Sequence, residues 1–81
     1  MRHLLVLPDL GLGELPITAS LWLVEPGSRV TRGDRLLEVL ADGVTVDLPS
    51  PVTGVLVDTL VSEDEPLKIG QPLAVLEATE P

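Results

Sequence analysis

Residues 38–51 read EVLADGVTVDLPSP, and this stretch decides the fold prediction. Two β-prone runs, 36–40 and 44–48, flank the pair Asp42-Gly43. An Asp-Gly pair between such runs is a strong hairpin signal, because a type I′ turn needs positive φ at both central residues. The second run stops at Pro49-Ser50-Pro51, where the first proline is expected to end the pairing and the second to prolong the break. The stretch therefore predicts a tight hairpin with Gly43 at its tip.

The rest of the chain shows a weak internal repeat. An offset of 37 residues places Leu23-Val24 on Leu60-Val61, Val30 on Leu67, Gly33 on Gly70, and Leu36 on Leu73. Each half then contains a strand, a polar loop, a glycine and a further strand. We therefore expect one short β-rich unit used twice, with two similar sheets facing each other across an aliphatic core.

Alternation of apolar residues, punctuated by proline and glycine, predicts eight short strands and no long helix. The predicted strands are 3–7, 17–24, 29–30, 36–41, 44–48, 53–61, 66–68 and 72–77. Together they form a single all-β domain over residues 1–81. Residues 78–81 are expected to fray, as chain ends often do.

Composition excludes several classes of function. The chain has 81 residues and a net charge of −8 with only five basic residues, which disfavours nucleic acid as a partner. It has no cysteine, so neither disulfides nor thiolate sites are expected. No segment approaches the ~18 apolar residues of a membrane span. The apolar run at residues 4–7 is too short for a signal peptide. We predict a cytoplasmic protein that does not insert into membranes.

No catalytic or metal-binding constellation is evident. His3 is the only histidine, so a Ser/His/Asp arrangement would depend on a residue at the edge of the first strand. The acidic run 63–65 lacks the spaced ligands and the glycine of a calcium loop. We therefore predict no catalytic residues, no metal site and no enzymatic activity.

Several segments, in this order and spacing, resemble the lipoyl/biotinyl carrier domains. They are the opening strand and turn 7–11, the tryptophan-to-loop segment 22–30, its continuation 32–36, the hairpin 38–51, the segment 49–55 and the closing strand 69–76. The chain is identified as a member of this family, with a better fit to the lipoyl domains of 2-oxo acid dehydrogenase complexes than to biotinyl domains. The resemblance implies a barrel-sandwich hybrid of two small antiparallel sheets related by a pseudo-twofold repeat.

Three positions depart from the family pattern. The family carries a lysine at the hairpin tip, to which lipoate or biotin is attached as an amide, and Gly43 stands at that position. Related lipoyl domains tend to have an acidic residue where this chain has Leu40. Pro16-Ile17 stands where the family often has an acidic residue followed by glycine. We therefore expect no lipoate or biotin at the tip, although both are cofactors of the family.

The leading hypothesis is a non-catalytic interaction or structural module, associated with a 2-oxo acid dehydrogenase-type complex. A protein partner would contact the tip residues Asp42, Gly43 and Val44, together with Trp22, unless Trp22 packs over the core instead. One alternative is a true carrier of a lipoyl, biotinyl or other acyl group at Lys68, the only lysine. Another alternative is an adaptor domain of a transport assembly.

Overall fold

A computed structural model describes residues 1–79, which contain eight β-strands and no helix. The strands are β1 (Arg2–Val6), β2 (Ile17–Trp22), β3 (Arg29–Val30), β4 (Arg35–Ala41), β5 (Val44–Pro49), β6 (Gly54–Thr59), β7 (Pro66–Leu67) and β8 (Pro72–Ala78). Every predicted strand is present, and each boundary lies within two residues of its predicted position.

The strands form two four-stranded sheets in which every pairing is antiparallel. The first sheet has the order β1-β8-β6-β3, and the second has the order β5-β4-β2-β7. Each sheet takes its short edge strand, β3 or β7, from the other half of the chain. This exchange ties the two sheets together, and the expected all-β fold of two small antiparallel sheets is confirmed.

The internal repeat is confirmed in the backbone. Strands β2, β3 and β4 recur 37 residues later as β6, β7 and β8, with the same lengths. The irregularity between Ala19 and Leu21 recurs between Leu56 and Asp58. Backbone bonds between the halves are also reciprocal, because the Gly27 N–H donates to the Leu56 oxygen and the Asp64 N–H donates to the Ala19 oxygen, both at 2.7 Å.

The core lies between the sheets and is aliphatic. Side chains alternate between the two faces of a strand, as in the buried Ile17 and Ala19 of β2, but β4 and β8 each bury two consecutive residues near their start. The equivalent residues Leu36 and Leu73 are both fully buried. The buried hydrophobic residues are Leu5, Leu7, Ile17, Ala19, Val30, Leu36, Leu37, Val39, Ala41, Leu48, Val52, Leu56, Val61, Leu67, Leu73, Ala74 and Leu76.

Two details of the sequence prediction are wrong. Pro49 does not end the pairing: it lies opposite Arg35 after a register shift, and beyond it the Ser50 N–H still donates to the Asp34 oxygen at 2.7 Å. β5 is an edge strand, where the missing proline N–H is tolerated. Fraying does not begin at Ala78 either. The N–H of Ala78 donates to the Met1 oxygen at 2.8 Å, and that of Thr79 donates to the Thr53 oxygen at 2.9 Å. Residues 80 and 81 lie outside the described residues.

Candidate functional site

The turn between β4 and β5 is a two-residue hairpin tip. Asp42 has φ of 50° and Gly43 has φ of 77°, so both are positive as a type I′ turn requires. Ala41 and Val44 close the turn as directly opposed residues. Asp42, Gly43 and Val44 are all exposed. The predicted tip is therefore confirmed, and its three predicted contact residues lie together on the surface.

The second sheet brings two other segments to the same end of the molecule. Ile17 lies opposite Ala41 on one side and opposite Leu67 on the other. Pro16 and Lys68 are each one residue beyond this row, beside the turn. We call this region, formed by the Asp42-Gly43 turn, Pro16 and Lys68, the tip end. Ile17 is buried, so β2 is packed into the core immediately beside the turn.

The Asp42-Gly43 turn has no side chain that could form an amide with a cofactor. Attachment of lipoate or biotin as an amide requires a primary amine, and Gly43 has no side chain. A Cβ at Gly43 would meet no atom within 4 Å, so the space that a side chain would need is open. The two residues of the turn, Asp42 and Gly43, offer open space but no primary amine.

Lys68 lies closer to the tip than the sequence suggested. The 37-residue repeat places it beside a turn, and its backbone N–H does donate to Gln71 Oε1 across that turn at 2.9 Å. However, β7 pairs with β2, which pairs in turn with β4. Lys68 is therefore two strand spacings from the hairpin, or about 10 Å between backbones. Lys68 reaches the tip end because β7 joins the second sheet instead of the sheet that contains β6 and β8. The local sequence does not indicate which sheet β7 joins.

Trp22 does not join the tip residues. It lies opposite Leu37, five residues before Asp42 along β4, which corresponds to about 17 Å. Its side chain is half-buried against the core, and Nε1 donates to the Val61 oxygen at 3.0 Å. The alternative interpretation of Trp22 as a packing residue accounts for these contacts. Partner contact at Trp22 stays a prediction, and it would use a surface separate from the tip.

The acidic run 63–65 caps the backbone. Glu63 Oε2 accepts the N–H of Trp22 at 3.0 Å, and Glu65 Oε1 accepts the N–H of Ser62 at 3.1 Å. His3 is exposed in β1. Within residues 1–79, no three His, Cys, Asp or Glu side chains are grouped so that they could hold a metal ion. Over the same range there is no helix of the length and apolarity needed to cross a membrane.

Comparison with known proteins agrees with this geometry. The family model described as "Biotin-requiring enzyme" matches residues 3–76. The lipoamide acyltransferase component of the branched-chain alpha-keto acid dehydrogenase complex of Bacillus subtilis is 33% identical over 73 residues, which cover 90% of this chain and 17% of that protein. The dihydrolipoyllysine-residue acetyltransferase component of the pyruvate dehydrogenase complex of Mycobacterium bovis is 38% identical over 69 residues, which cover 85% of this chain and 12% of that protein.

The fold also occurs in a solved structure of a single-chain, multi-domain long-chain acyl-CoA carboxylase. The match has a TM-score of 0.79 at 21% identity and covers 99% of this chain and 7% of that one. The chain thus spans less than a fifth of the length of each of these proteins. With the family model, the curated relatives and the two-sheet fold in agreement, the chain belongs to the lipoyl/biotinyl family, as a carrier-type domain related to the acyltransferase subunits of 2-oxo acid dehydrogenase complexes.

Proposed function

We propose that this domain carries no lipoate or biotin at its hairpin tip and acts as a non-catalytic interaction or structural module. The observation that carries the proposal is Gly43 at the tip of the hairpin, where the resemblance to the family leads us to expect a lysine. Glycine adopts the positive φ of this turn without strain, so the residue suits the turn once an amine is not required.

The partner that we propose is a protein component of a 2-oxo acid dehydrogenase-type complex. The relatives named above are components of such complexes. Asp42, Gly43 and Val44 form the exposed surface that a partner would meet at the tip. The net charge of −8 favours a partner with a basic surface, because opposite charges steer two proteins together.

The test is the intact mass of the protein isolated from its native cells, followed by peptide mapping. We expect the mass of the bare polypeptide. A lipoyl or biotinyl increment on any residue would overturn the proposal. A lipoyl domain of an acyltransferase subunit, purified from the same cells, is the positive control for retention of the cofactor.

A second candidate function is a carrier modified at Lys68. It is favoured by the position of this exposed lysine at the tip end, about 10 Å from the hairpin. Under this alternative, peptide mapping finds the acyl increment at Lys68, and Lys68→Arg abolishes it. The cytoplasmic location stays a prediction under either function.

A further inference from the structure

The two long edge strands, β1 and β5, occupy equivalent positions in the two sheets. β1 lies beside β8 as β5 lies beside β4, and β8 repeats β4 after 37 residues. The registers agree as well. Leu4 opposes Val75, and Asp47 opposes Glu38, which is the residue equivalent to Val75 after the 37-residue offset. On this register, three positions of β1 correspond to positions of β5: Arg2 corresponds to Thr45, Leu4 to Asp47, and Val6 to Pro49.

β5 has the features that protect an edge strand from pairing with another chain. Asp47 places a carboxylate in the middle of the strand, and Pro49 has no N–H to offer. Charged residues and prolines are common means of blocking edge-to-edge association. β1 has apolar residues at both corresponding positions, and Leu4 and Val6 are 50% and 42% exposed. At these two positions β1 lacks the carboxylate and the proline that protect β5, and its one charged residue, Arg2, lies at the end of the strand and pairs with Glu77 at 3.3 Å.

The backbone of β1 also offers hydrogen-bonding groups to a new strand. Met1 and Ala78 exchange backbone bonds, since the Ala78 N–H donates to the Met1 oxygen and the Met1 amine donates to the Ala78 oxygen. In an antiparallel ladder, the residues that bond to a given neighbour alternate. The N–H and C=O groups of His3 and Leu5 therefore point toward β8, and those of Arg2 and Leu4 point to the open edge.

The outer face of the first sheet is electrically balanced, although the whole chain has a charge of −8. Arg2, Glu77, Val55 and Arg29 form one continuous row across the sheet, and Asp58 lies opposite Val75 in another. Two arginines thus accompany two acids. The corresponding face of the second sheet carries Glu38 and Asp47 with one arginine, Arg35, which pairs with Asp47 at 3.2 Å, so one acid there has no arginine to balance it. A second copy can therefore approach the first sheet without the repulsion that the overall charge would cause.

We propose that two copies of this chain associate through antiparallel pairing of β1 with β1, which joins their first sheets into one eight-stranded sheet. The contact is isologous, with the same strand on both sides of a twofold axis. Backbone bonds at Arg2 and Leu4 set the register, and Leu4 and Val6 become covered. The inference is independent of whether the hairpin tip carries a cofactor.

Sedimentation equilibrium from micromolar to millimolar protein tests the proposal. We expect a concentration-dependent rise to twice the mass of one chain. Leu4→Asp places on β1 the residue that β5 has at the equivalent position, and it should raise the dissociation constant about ten-fold or more. The matched control is Leu21→Asp, which changes a 45%-exposed leucine of the second sheet and should leave the dissociation constant unchanged.

Circular dichroism and thermal unfolding establish that both variants are folded before association is compared. Hydrogen exchange at the Leu4 amide provides an independent measurement, and we expect exchange to slow as the dimer forms. A wild-type protein that stays monomeric at millimolar concentration would overturn the proposal. Equal weakening by Leu4→Asp and Leu21→Asp, or Leu4 exchange that is independent of concentration, would also overturn it.

Discussion

The two ends of this molecule have the same backbone pairing, yet only one of them is closed by a turn. At the tip end, Asp42-Gly43 connects the opposed residues Ala41 and Val44. At the opposite end, Ala78 bonds to Met1 in the equivalent place with no covalent connection between them. Strand pairing at this position therefore does not depend on a turn. The core and the ladders hold the strands together, so this pairing does not require the residues of the tip.

The two ends differ in how the equivalent strands β2 and β6 begin. Ile17 starts β2 at the tip end with a buried side chain. Gly54 starts β6 at the opposite end, where a Cβ would overlap the backbone of Glu77 and Ala78. One backbone position thus accommodates a branched side chain in one half and only a hydrogen in the other. Equivalent positions in a repeat can share a fold and still have different packing requirements.

Among the substitutions that distinguish the two ends, Gly54→Ala is expected to lower the free energy of unfolding most. The added methyl group collides with backbone rather than with a movable side chain, so we expect a loss of about 4 kcal/mol or more in the free energy of unfolding. Urea denaturation measures it. The control is Ile17→Val at the equivalent position, which should cost about 1 kcal/mol. Equal losses for the two variants would contradict the close approach at Gly54.

Two core substitutions test whether the two halves of the core contribute equally to stability. Leu36 and Leu73 are equivalent and fully buried, so Leu36→Ala and Leu73→Ala should each cost about 3 kcal/mol of unfolding free energy. We expect the two losses to agree within about 1 kcal/mol, since the cavities are similarly enclosed. A much smaller loss for one variant in urea denaturation would show that the two halves of the core are not equivalent.

Gly43→Lys tests whether the hairpin tip can accept a lysine and become lipoylated. A lysine at φ of 77° should cost about 1 kcal/mol, and nothing within 4 Å obstructs it. We expect a folded variant that gains partial lipoylation from a promiscuous lipoate ligase, measured by intact mass. Leu40→Glu added to it restores the acidic residue typical of lipoyl domains and should increase the modified fraction.

The control for this gain is Gly33→Lys, which places a lysine at φ of 92° in another turn with open space around it. The strain should be similar, but no lipoylation is expected away from the hairpin. A loss of more than about 3 kcal/mol for Gly43→Lys would contradict the open geometry of the tip. Equal modification of both lysines would show that the ligase does not read the hairpin.

The smallest expected effects come from two equivalent turn caps. Asp34 Oδ2 accepts the N–H of Thr31 at 2.8 Å, and Gln71 Oε1 accepts the N–H of Lys68 at 2.9 Å. The carboxylate makes the stronger hydrogen bond, so Asp34→Ala should cost about 1 kcal/mol and Gln71→Ala about 0.5 kcal/mol. Thermal unfolding of both variants measures the difference. The reverse order would indicate that charge does not strengthen this cap.

Local sequence predicted the strands because each depends on alternation and on nearby turn residues. The Asp42-Gly43 turn and the repeated glycines Gly33 and Gly70 were sufficient to position the hairpin and the two halves. The errors concern pairing between distant parts of the chain. Pro49 is tolerated because β5 is at an edge, and Ala78 is ordered because it pairs with Met1. Neither fact can be read from the residues that surround the position.

The candidate site was predicted less completely than the fold, for the same reason. The tip residues are neighbours in sequence, so their grouping followed from the hairpin alone. The position of Lys68 depends on β7 crossing to the second sheet, and the separation of Trp22 from the tip depends on the register of β2 against β4. Both require the sheet order, which the residue pattern does not contain.

The hydrogen bonds between Met1 and Ala78 hold the first residue of the chain beside the end of β8. The chain enters the domain through β1 and leaves it through the adjacent β8, both at the end opposite the tip end. The hairpin projects from the tip end. Such a module can be inserted into a loop of a host protein without forcing apart the residues on either side of the loop. It can also be circularly permuted, with a short turn joining Thr79 to Met1 and new termini opened at Asp42-Gly43. The permutant would exchange the positions of the turn and the chain ends and keep every strand pairing.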